Sequence, residues 1–248
     1  MVDWEACLAD AEAGSLSGVL LRLVESQEQV ATNQLVSSLD RQAVLEDLLE
    51  ATKPRLRKGT EHLHYLLATP FRYPPLKHGS RFGTRSEPSL FYGSMKTRTV
   101  LAEAAYYRLV FWQGMVQPPA GKLDTQHTLF GATYRTSKGL RLQEPPFAAY
   151  RNVLTSPDDY RESQALGARM RADGIEAFEF ISARDPDGGI NLALFNPKAL
   201  AGKDPLSQEP WLCELTAERV RFYAAHSRDI HDFPAGLFQV GGKLPQPA

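Results

Sequence analysis

Between Tyr65 and Trp112 the chain gathers two arginines, a tyrosine and a glutamate whose types and spacing suit one kind of chemistry. Arg72 and Arg81 lie in a Gly/Pro/Ser-rich stretch, Tyr92 in a short apolar run just after it, and Glu103 inside a segment of helical periodicity. Arg81 and Tyr92 are eleven positions apart, as are Tyr92 and Glu103. Guanidinium groups make fork-shaped contacts to phosphate oxygens. A tyrosine offers a face on which a nicotinamide or adenine ring can stack. A carboxylate stabilises the positive charge that develops on a ribose as its leaving group departs. Together these groups suit cleavage of an N-glycosidic bond in a dinucleotide.

Each residue also has a blander reading. A glutamate on a helix ordinarily faces solvent. The i−4 neighbour of Glu103 is Thr99, and its i+3 and i+4 neighbours are Tyr106 and Tyr107, a mildly polar aromatic stripe rather than a Lys/Arg-rich surface. A lone arginine is commonly a surface side chain, but loops rich in Gly and Pro are where functional residues gather. Tyr92 on its own reads as a core residue of a strand. Ser182, at the end of the run Phe178–Ser182, reads as a turn former or as a hydrogen-bonding partner for a ribose or phosphate. Asn191, across a presumed hairpin, is a weaker candidate of the same sort.

Other chemistries find little support. His62 and His64 project to one side of a short segment without a third ligand, and His226 and His231 match no metal spacing. The run Asp185–Gly189 lacks the twelve-residue loop of a calcium site. No metal site is therefore expected. Cys7 and Cys213 have neither the pattern of a disulfide framework nor the context of a nucleophile. There is no G-x-G-x-x-G after a strand, no G-x-x-x-x-G-K-[ST] and no G-x-S-x-G.

The elements that must position these residues follow from periodicity and punctuation. Residues 15–51 read as two helices. Ser17 caps the first, which carries Val19, Leu20, Leu23 and Val24; Asp40 caps the second, with Val44, Leu45, Leu48 and Leu49 on one face, and Lys53-Pro54 ends it. Both look amphipathic, so both should pack on the main body or a partner. The prolines and glycines of residues 66–93 exclude a long helix and mark loops between short strands. A helix begins at Ser94 or Thr97 and runs to about Trp112. A strand follows over Leu129–Tyr134. Ser156-Pro157-Asp158-Asp159 is a helix start, with the end near Gly174. Glu176–Ala183, Ile190–Phe195, Trp211–Leu215 and Arg219–Ala224 read as strands, the first two joined as a hairpin by Asp185–Gly189. Helices first and clustered strands later predict an α+β fold with a largely antiparallel sheet.

With 248 residues, 28 basic and 29 acidic side chains and a net charge of −1, the chain has no long-range field for nucleic acid or an anionic membrane. Its N-terminus lacks the basic and apolar regions of a signal peptide. No apolar run reaches the roughly 18 residues of a membrane span. The sequence points to the cytoplasm.

These residues resemble the RES domain family, bacterial toxins and relatives usually encoded beside an Xre-type antitoxin. Its pattern is an Arg in a Gly-Arg-aromatic turn, a Tyr about ten residues on, a Glu about eleven beyond, and a late Ser or Asn. Gly79-Ser80-Arg81-Phe82-Gly83 is similar to the first part, Phe91-Tyr92-Gly93-Ser94 to the second, and Thr99–Glu103 to the third. The stretch from Gly174 through Ser182 to Phe195 is similar to the last, and Arg72 in Pro70-Phe-Arg-Tyr-Pro74 to an earlier basic position. Gly83 departs from the pattern, because many members carry Asn there. The resemblance covers roughly residues 62–240.

It implies an ADP-ribosyltransferase-like fold, a largely antiparallel central sheet flanked by helices, over residues 59–248; residues 1–58 lie outside the resemblance and, from their helical periodicity, are expected to form an N-terminal helical extension. It also implies that NAD is a consumed substrate rather than a redox cofactor, cleaved at the nicotinamide–ribose bond with inorganic phosphate or water as acceptor. In that scheme Arg81 and Arg72 hold the diphosphate and Tyr92 stacks on the nicotinamide end. Glu103 orients the ribose and Ser182 contacts the nucleotide. The alternatives are a transferase that modifies a macromolecule with ADP-ribose and a non-catalytic binding module. The implied partner is a cognate Xre-type antitoxin, with a homodimer left open.

Overall fold

The computed structural model describes residues 2–26 and 38–246. Its centre is one eight-stranded sheet, antiparallel except for a single parallel pair, with helices against it. The elements run α1 (Trp4–Ala9), β1 (Gly14–Glu25), α2 (Leu39–Thr52), α3 (Tyr65–Arg72), β2 (Phe91–Ser94), α4 (Thr97–Gln113), β3 (Leu123–Arg141), α5 (Arg151–Leu154), α6 (Arg161–Ala172), β4 (Ala177–Ile181), β5 (Ile190–Leu194), β6 (Ser207–Leu215), β7 (Arg219–Ala224) and β8 (Ile230–Pro234). The fold is α+β, as the clustering of late strands predicts.

The strand order is β1-β2-β5-β4-β3-β6-β7-β8, and β1 also pairs with β3. That extra pairing closes β1, β2, β5, β4 and β3 into a ring. Leu16 and Leu20 from β1, Phe91 from β2, Phe130 and Ala132 from β3 and Leu192 from β5 fill its interior. Leu66, Leu67 and Phe71 of α3 cover it from one end. A second core lies between α4 and the β6–β8 part of the sheet, through Leu101, Ala105 and Leu109 against Val220, Phe222 and Phe233. A third joins α1 and α6 to β4, around Phe82, Leu166, Met170 and Phe178.

The largest departure from the sequence reading is at the N-terminus. The expected helix over residues 17–24 is strand β1, paired antiparallel with β3 from Gly14↔Gly139 to Glu25↔His127. The run Val19-Leu-Leu-Arg-Leu-Val24 is nearly continuous in apolar residues, and such a run cannot be assigned to helix or strand by periodicity. Its partner decides. Leu16 and Leu20 point into the ring, while Leu21 and Leu23 pack on the α4 side, so both faces are covered. Residues 14–25 are thus part of the central sheet, not of a helical extension.

The other differences are smaller. Helix α2 exists, but Ser38 rather than Asp40 caps it, its hydroxyl accepting from the Arg41 backbone N–H at 3.3 Å. None of its residues is buried, so its apolar face is not packed against the described residues. Residues 65–72 form α3, with Pro70 in its last turn and His64 as cap, where short loops and strands were expected. The helix expected from Ser156 begins at Arg161; the Ser156 hydroxyl instead accepts from the Asp159 N–H at 3.2 Å and closes a turn. Strand β3 is 19 residues long rather than the six of Leu129–Tyr134, because β1 and β6 pair along its two edges.

Two close approaches require glycine. A Cβ on Gly93 would lie 2.8 Å from the Leu21 carbonyl oxygen, so Gly93 lets β2 meet β1. A Cβ on Gly167 would lie 2.1 Å from the Phe82 carbonyl oxygen, so Gly167 lets α6 seat the turn that carries Arg81. Because that obstacle is backbone, Gly167→Ala is expected to destabilise the fold by about 1–3 kcal/mol, read as a lowered urea midpoint with an unchanged slope.

Candidate functional site

A cleft of about 620 Å³ opens beside the ring, where β1 and β2 part after the single pair Leu21↔Ser94. Its size is that of small-molecule and cofactor sites. Its walls come from β1, the loop of residues 73–81, β2, α4, Tyr160, and the β4/β5 hairpin.

Glu103 projects into this cleft from the middle of α4. One carboxylate oxygen, Oε1, accepts from the Ser182 hydroxyl at 2.6 Å and from the Asn191 Nδ2 at 2.7 Å. Among the described residues the other, Oε2, accepts no hydrogen bond. The clamp is itself held. Asn191 Oδ1 accepts from the Ser94 hydroxyl at 2.6 Å, which orients the amide with its nitrogen toward the carboxylate. Ser182 Oγ accepts from the N–H groups of Arg184 (3.1 Å) and Asp185 (3.0 Å), so its proton is turned to Glu103. Asp185 Oδ2 accepts from the Thr99 hydroxyl at 2.7 Å, one turn before Glu103 on α4. Ser94, Ser182, Asn191, Thr99 and Asp185 are all buried.

Arg81 sits at the tip of a turn in which Gly79 adopts φ +73° and Ser80 bridges Gly83. Its guanidinium is buried, lies 4.5 Å above the Tyr160 ring, and donates to the carbonyls of Leu154 (3.1 Å) and Ser156 (2.8 Å). Arg184, which the sequence reading did not single out, joins it. It donates to the Pro157 carbonyl at 2.6 Å and the Tyr160 hydroxyl at 3.1 Å, and stacks 3.5 Å from the Tyr106 ring centre. Neither guanidinium forms an ion pair with a carboxylate among the described residues. Carbonyls and rings orient both cations without neutralising them, which leaves positive potential in the cleft.

Tyr92 lines the cleft, and its hydroxyl braces the Arg81 turn: it hydrogen-bonds Ser80 Oγ at 2.9 Å and accepts from the Phe82 N–H at 3.2 Å. Burial pushes its phenol up to about 12, so it stays protonated. The structure thus brings together Arg81, Tyr92, Glu103, Ser182 and Asn191. It does not bring Arg72 to them. Arg72 ends α3 facing α2, with Nε donating to the Pro54 carbonyl at 2.6 Å and Nη1 2.8 Å from Glu50, and it does not line the cleft.

Three further cleft residues escaped the sequence reading. Arg22 was hidden by the helical reading of β1; its signal was a lone cation in an apolar run. Arg108 lies on α4 and pairs with Glu25 at 3.1 Å. His127 is buried, and its Nε2 lies 2.9 Å from the Thr125 hydroxyl. Burial first, and the Arg108 charge second, push its imidazole down to about 4. No group of three or more His, Cys, Asp or Glu among the described residues could hold a metal ion, and no helix among them is long and apolar enough to cross a membrane.

This fold and cleft have a counterpart among known families. The RES domain matches residues 55–216, well over half of the chain. The chain belongs to the RES domain family, an NAD-related family of toxin type. The matched span contains the Arg81 turn, Tyr92, Glu103 and the β4/β5 hairpin, and begins after β1. A search of curated proteins finds no match.

The His127 environment has a measurable consequence. Its folded value lies below the ordinary 6.5, so the unfolded chain takes up the proton first as pH falls. Its contribution is complete above about pH 6.5 and is lost as pH falls toward about 4, on the order of 3 kcal/mol in all. His127→Gln is expected to flatten stability against pH over that window in urea titrations at pH 7.5 and pH 5.

Proposed function

We propose that this protein degrades NAD by cleaving the nicotinamide–ribose bond, acting in the cytoplasm with phosphate or water as acceptor. The observation that carries the reading is the half-clamped carboxylate: Glu103 Oε1 is held by two donors while Oε2 is left to a cleft that also holds two unneutralised guanidinium groups. Arg81 and Arg184 bind the diphosphate. Glu103 Oε2 lies beside the ribose C1′. As the C1′–N bond breaks, its electron pair leaves with nicotinamide, which departs neutral. The oxocarbenium-like ribose is stabilised by the carboxylate until an oxygen of phosphate, or of a water that releases its surplus proton to solvent, bonds to C1′. Ser182 and Asn191 fix the carboxylate, so no reorganisation is needed as charge develops. Tyr92 holds the Arg81 turn and walls the nicotinamide end. Arg72 acts at a distance, by tying α3 to α2. NAD in this scheme is substrate and not resident cofactor.

An activity that consumes NAD needs restraint. A cognate Xre-type antitoxin covering the cleft mouth is part of the same proposal, with the toxin monomeric or homodimeric beneath it.

The test is NAD consumption by purified protein, with and without inorganic phosphate, products resolved by mass. Glu103→Gln keeps the shape and one hydrogen-bonding oxygen but removes the charge. It is expected to keep the melting temperature within a few degrees and to lower turnover by about 10²–10³-fold. Equal turnover by this variant would overturn the assignment. Transfer of labelled ADP-ribose to a protein or nucleic acid, with little free product, would make the protein a transferase instead.

A further inference from the structure

Arg184 is supported from two sides. On one, the Pro157 carbonyl at 2.6 Å and the Tyr160 hydroxyl at 3.1 Å hold its guanidinium. On the other, the guanidinium lies 3.5 Å from the ring centre of Tyr106, which is fully buried on α4. Tyr106 follows Glu103 by three residues on that helix, so the two are neighbours about 4.5 Å apart along its axis. The cation and the carboxylate are thus gauged from one rigid element. Sliding of the Tyr106 ring would shift Arg184 relative to Glu103.

The ring is held in turn. Its hydroxyl donates to the Pro245 carbonyl at 2.7 Å, a bond that spans 139 positions and reaches the C-terminal tail. A tight turn at Gly241-Gly242 brings that tail back to α4, with Val240 and Lys243 exchanging backbone hydrogen bonds at 2.9 and 3.2 Å. Beyond the turn Leu244 and Pro245 are buried, Leu244 in the core between α4 and β6–β8. Phe238 and Tyr107 flank the Tyr106 ring, with centroids 6.2 Å and 5.0 Å away. A buried hydroxyl needs its acceptor, so the place of the ring depends on the tail being seated. These tail residues lie beyond the span matched by the RES domain. Tyr106, Leu244 and Pro245 do not line the cleft, so they act on a substrate only through what they hold.

We propose that Tyr106 is a positioning residue for Arg184, and that the C-terminal tail sets the place of its ring through the Pro245 carbonyl. This rests on the reading in which Arg184 binds the diphosphate of NAD. The ring face attracts the guanidinium without neutralising it, so the cation stays available to phosphate oxygens. A change at Leu244 then reaches the substrate through Tyr106 and Arg184.

The experiment is calorimetric titration of the full chain with ADP-ribose. The proteins are wild type, Tyr106→Leu, Tyr106→Phe and Leu244→Asp, each with Arg184 in place and with Arg184→Met. Tyr106→Leu removes the ring and is expected to weaken ADP-ribose about tenfold. Tyr106→Phe keeps the ring and loses the bond to the tail. Leu244→Asp unseats the tail, because a charge would otherwise be buried without a partner. Each of these two is expected to weaken ADP-ribose about threefold. Combined, they are expected to weaken it no further than either alone, because both remove the same hydrogen bond. With Arg184→Met in the background, all of these losses are expected to vanish. A merely structural part for Tyr106 would leave them undiminished there. If Tyr106→Leu does not fold, Tyr106→Phe carries the test. Wild-type affinity in the Tyr106 variants, or equal losses with and without Arg184, would overturn the positioning role. A loss in Tyr106→Phe with none in Leu244→Asp would overturn the part given to the tail. Failure of the NAD-cleaving reading reads out separately, as ADP-ribose affinity indifferent to both Arg184→Met and Arg81→Met.

Discussion

The two hydrogen bonds onto Glu103 Oε1 are the constraint around which the site is arranged. They come from the two arms of the β4/β5 hairpin beside its turn, and they land on a helix that belongs to another part of the chain. Each donor is oriented by a buried partner: Ser94 of β2 sets Asn191, and two backbone N–H groups set Ser182. The Thr99–Asp185 contact fastens the same helix to the same hairpin one turn earlier. A buried polar network satisfied at every member holds one geometry, and a half-satisfied one would not. Helix, hairpin and strand therefore move together or not at all, and the free oxygen of Glu103 keeps a fixed aim.

The treatment of positive charge is the complement of that arrangement. Salt bridges are plentiful on the surface, as between Arg161 and Asp159 or Lys122 and Glu214. Inside the cleft, Arg22, Arg81 and Arg184 are held by carbonyls, a hydroxyl and aromatic faces instead. Dipoles and rings fix a guanidinium in place while leaving its net charge available to an anion. A carboxylate partner would fix it equally well and cancel the field.

Much of the site was legible because its residues keep close company in the chain. Arg81, Tyr92 and Glu103 fall within a stretch of 23 positions, and the Asp-Pro-Asp-Gly-Gly turn announced the hairpin that brings Ser182 and Asn191 together. Arg184 was missed although it lies two residues from Ser182, because no local pattern distinguishes a cation held by rings from one facing solvent. Arg72 was misjudged for a related reason: a basic residue between prolines looks like a loop ligand, and only tertiary structure turns it toward Glu50 and Pro54. Strand β1 was read as helix because its apolar run suits either element. What makes it a strand is β3, more than a hundred residues away, and a local window cannot register such a partner.

Closure of the five-stranded ring has a kinetic side. The β1 residues meet partners 73 positions away at Leu21↔Ser94 and 125 positions away at Gly14↔Gly139. Contacts this distant carry a large loop-closure cost before they return any stabilisation, and they slow folding. Strand β1, made well before β2 and β3, is therefore among the last to find both of its edges. Until it does, the ring is open, Arg22 has no strand β2 to rest on, and the cleft lacks one wall. The long-range register of β1 thus acts as a delay built into the chain: this wall of the cleft is completed only once the chain has been made through β3.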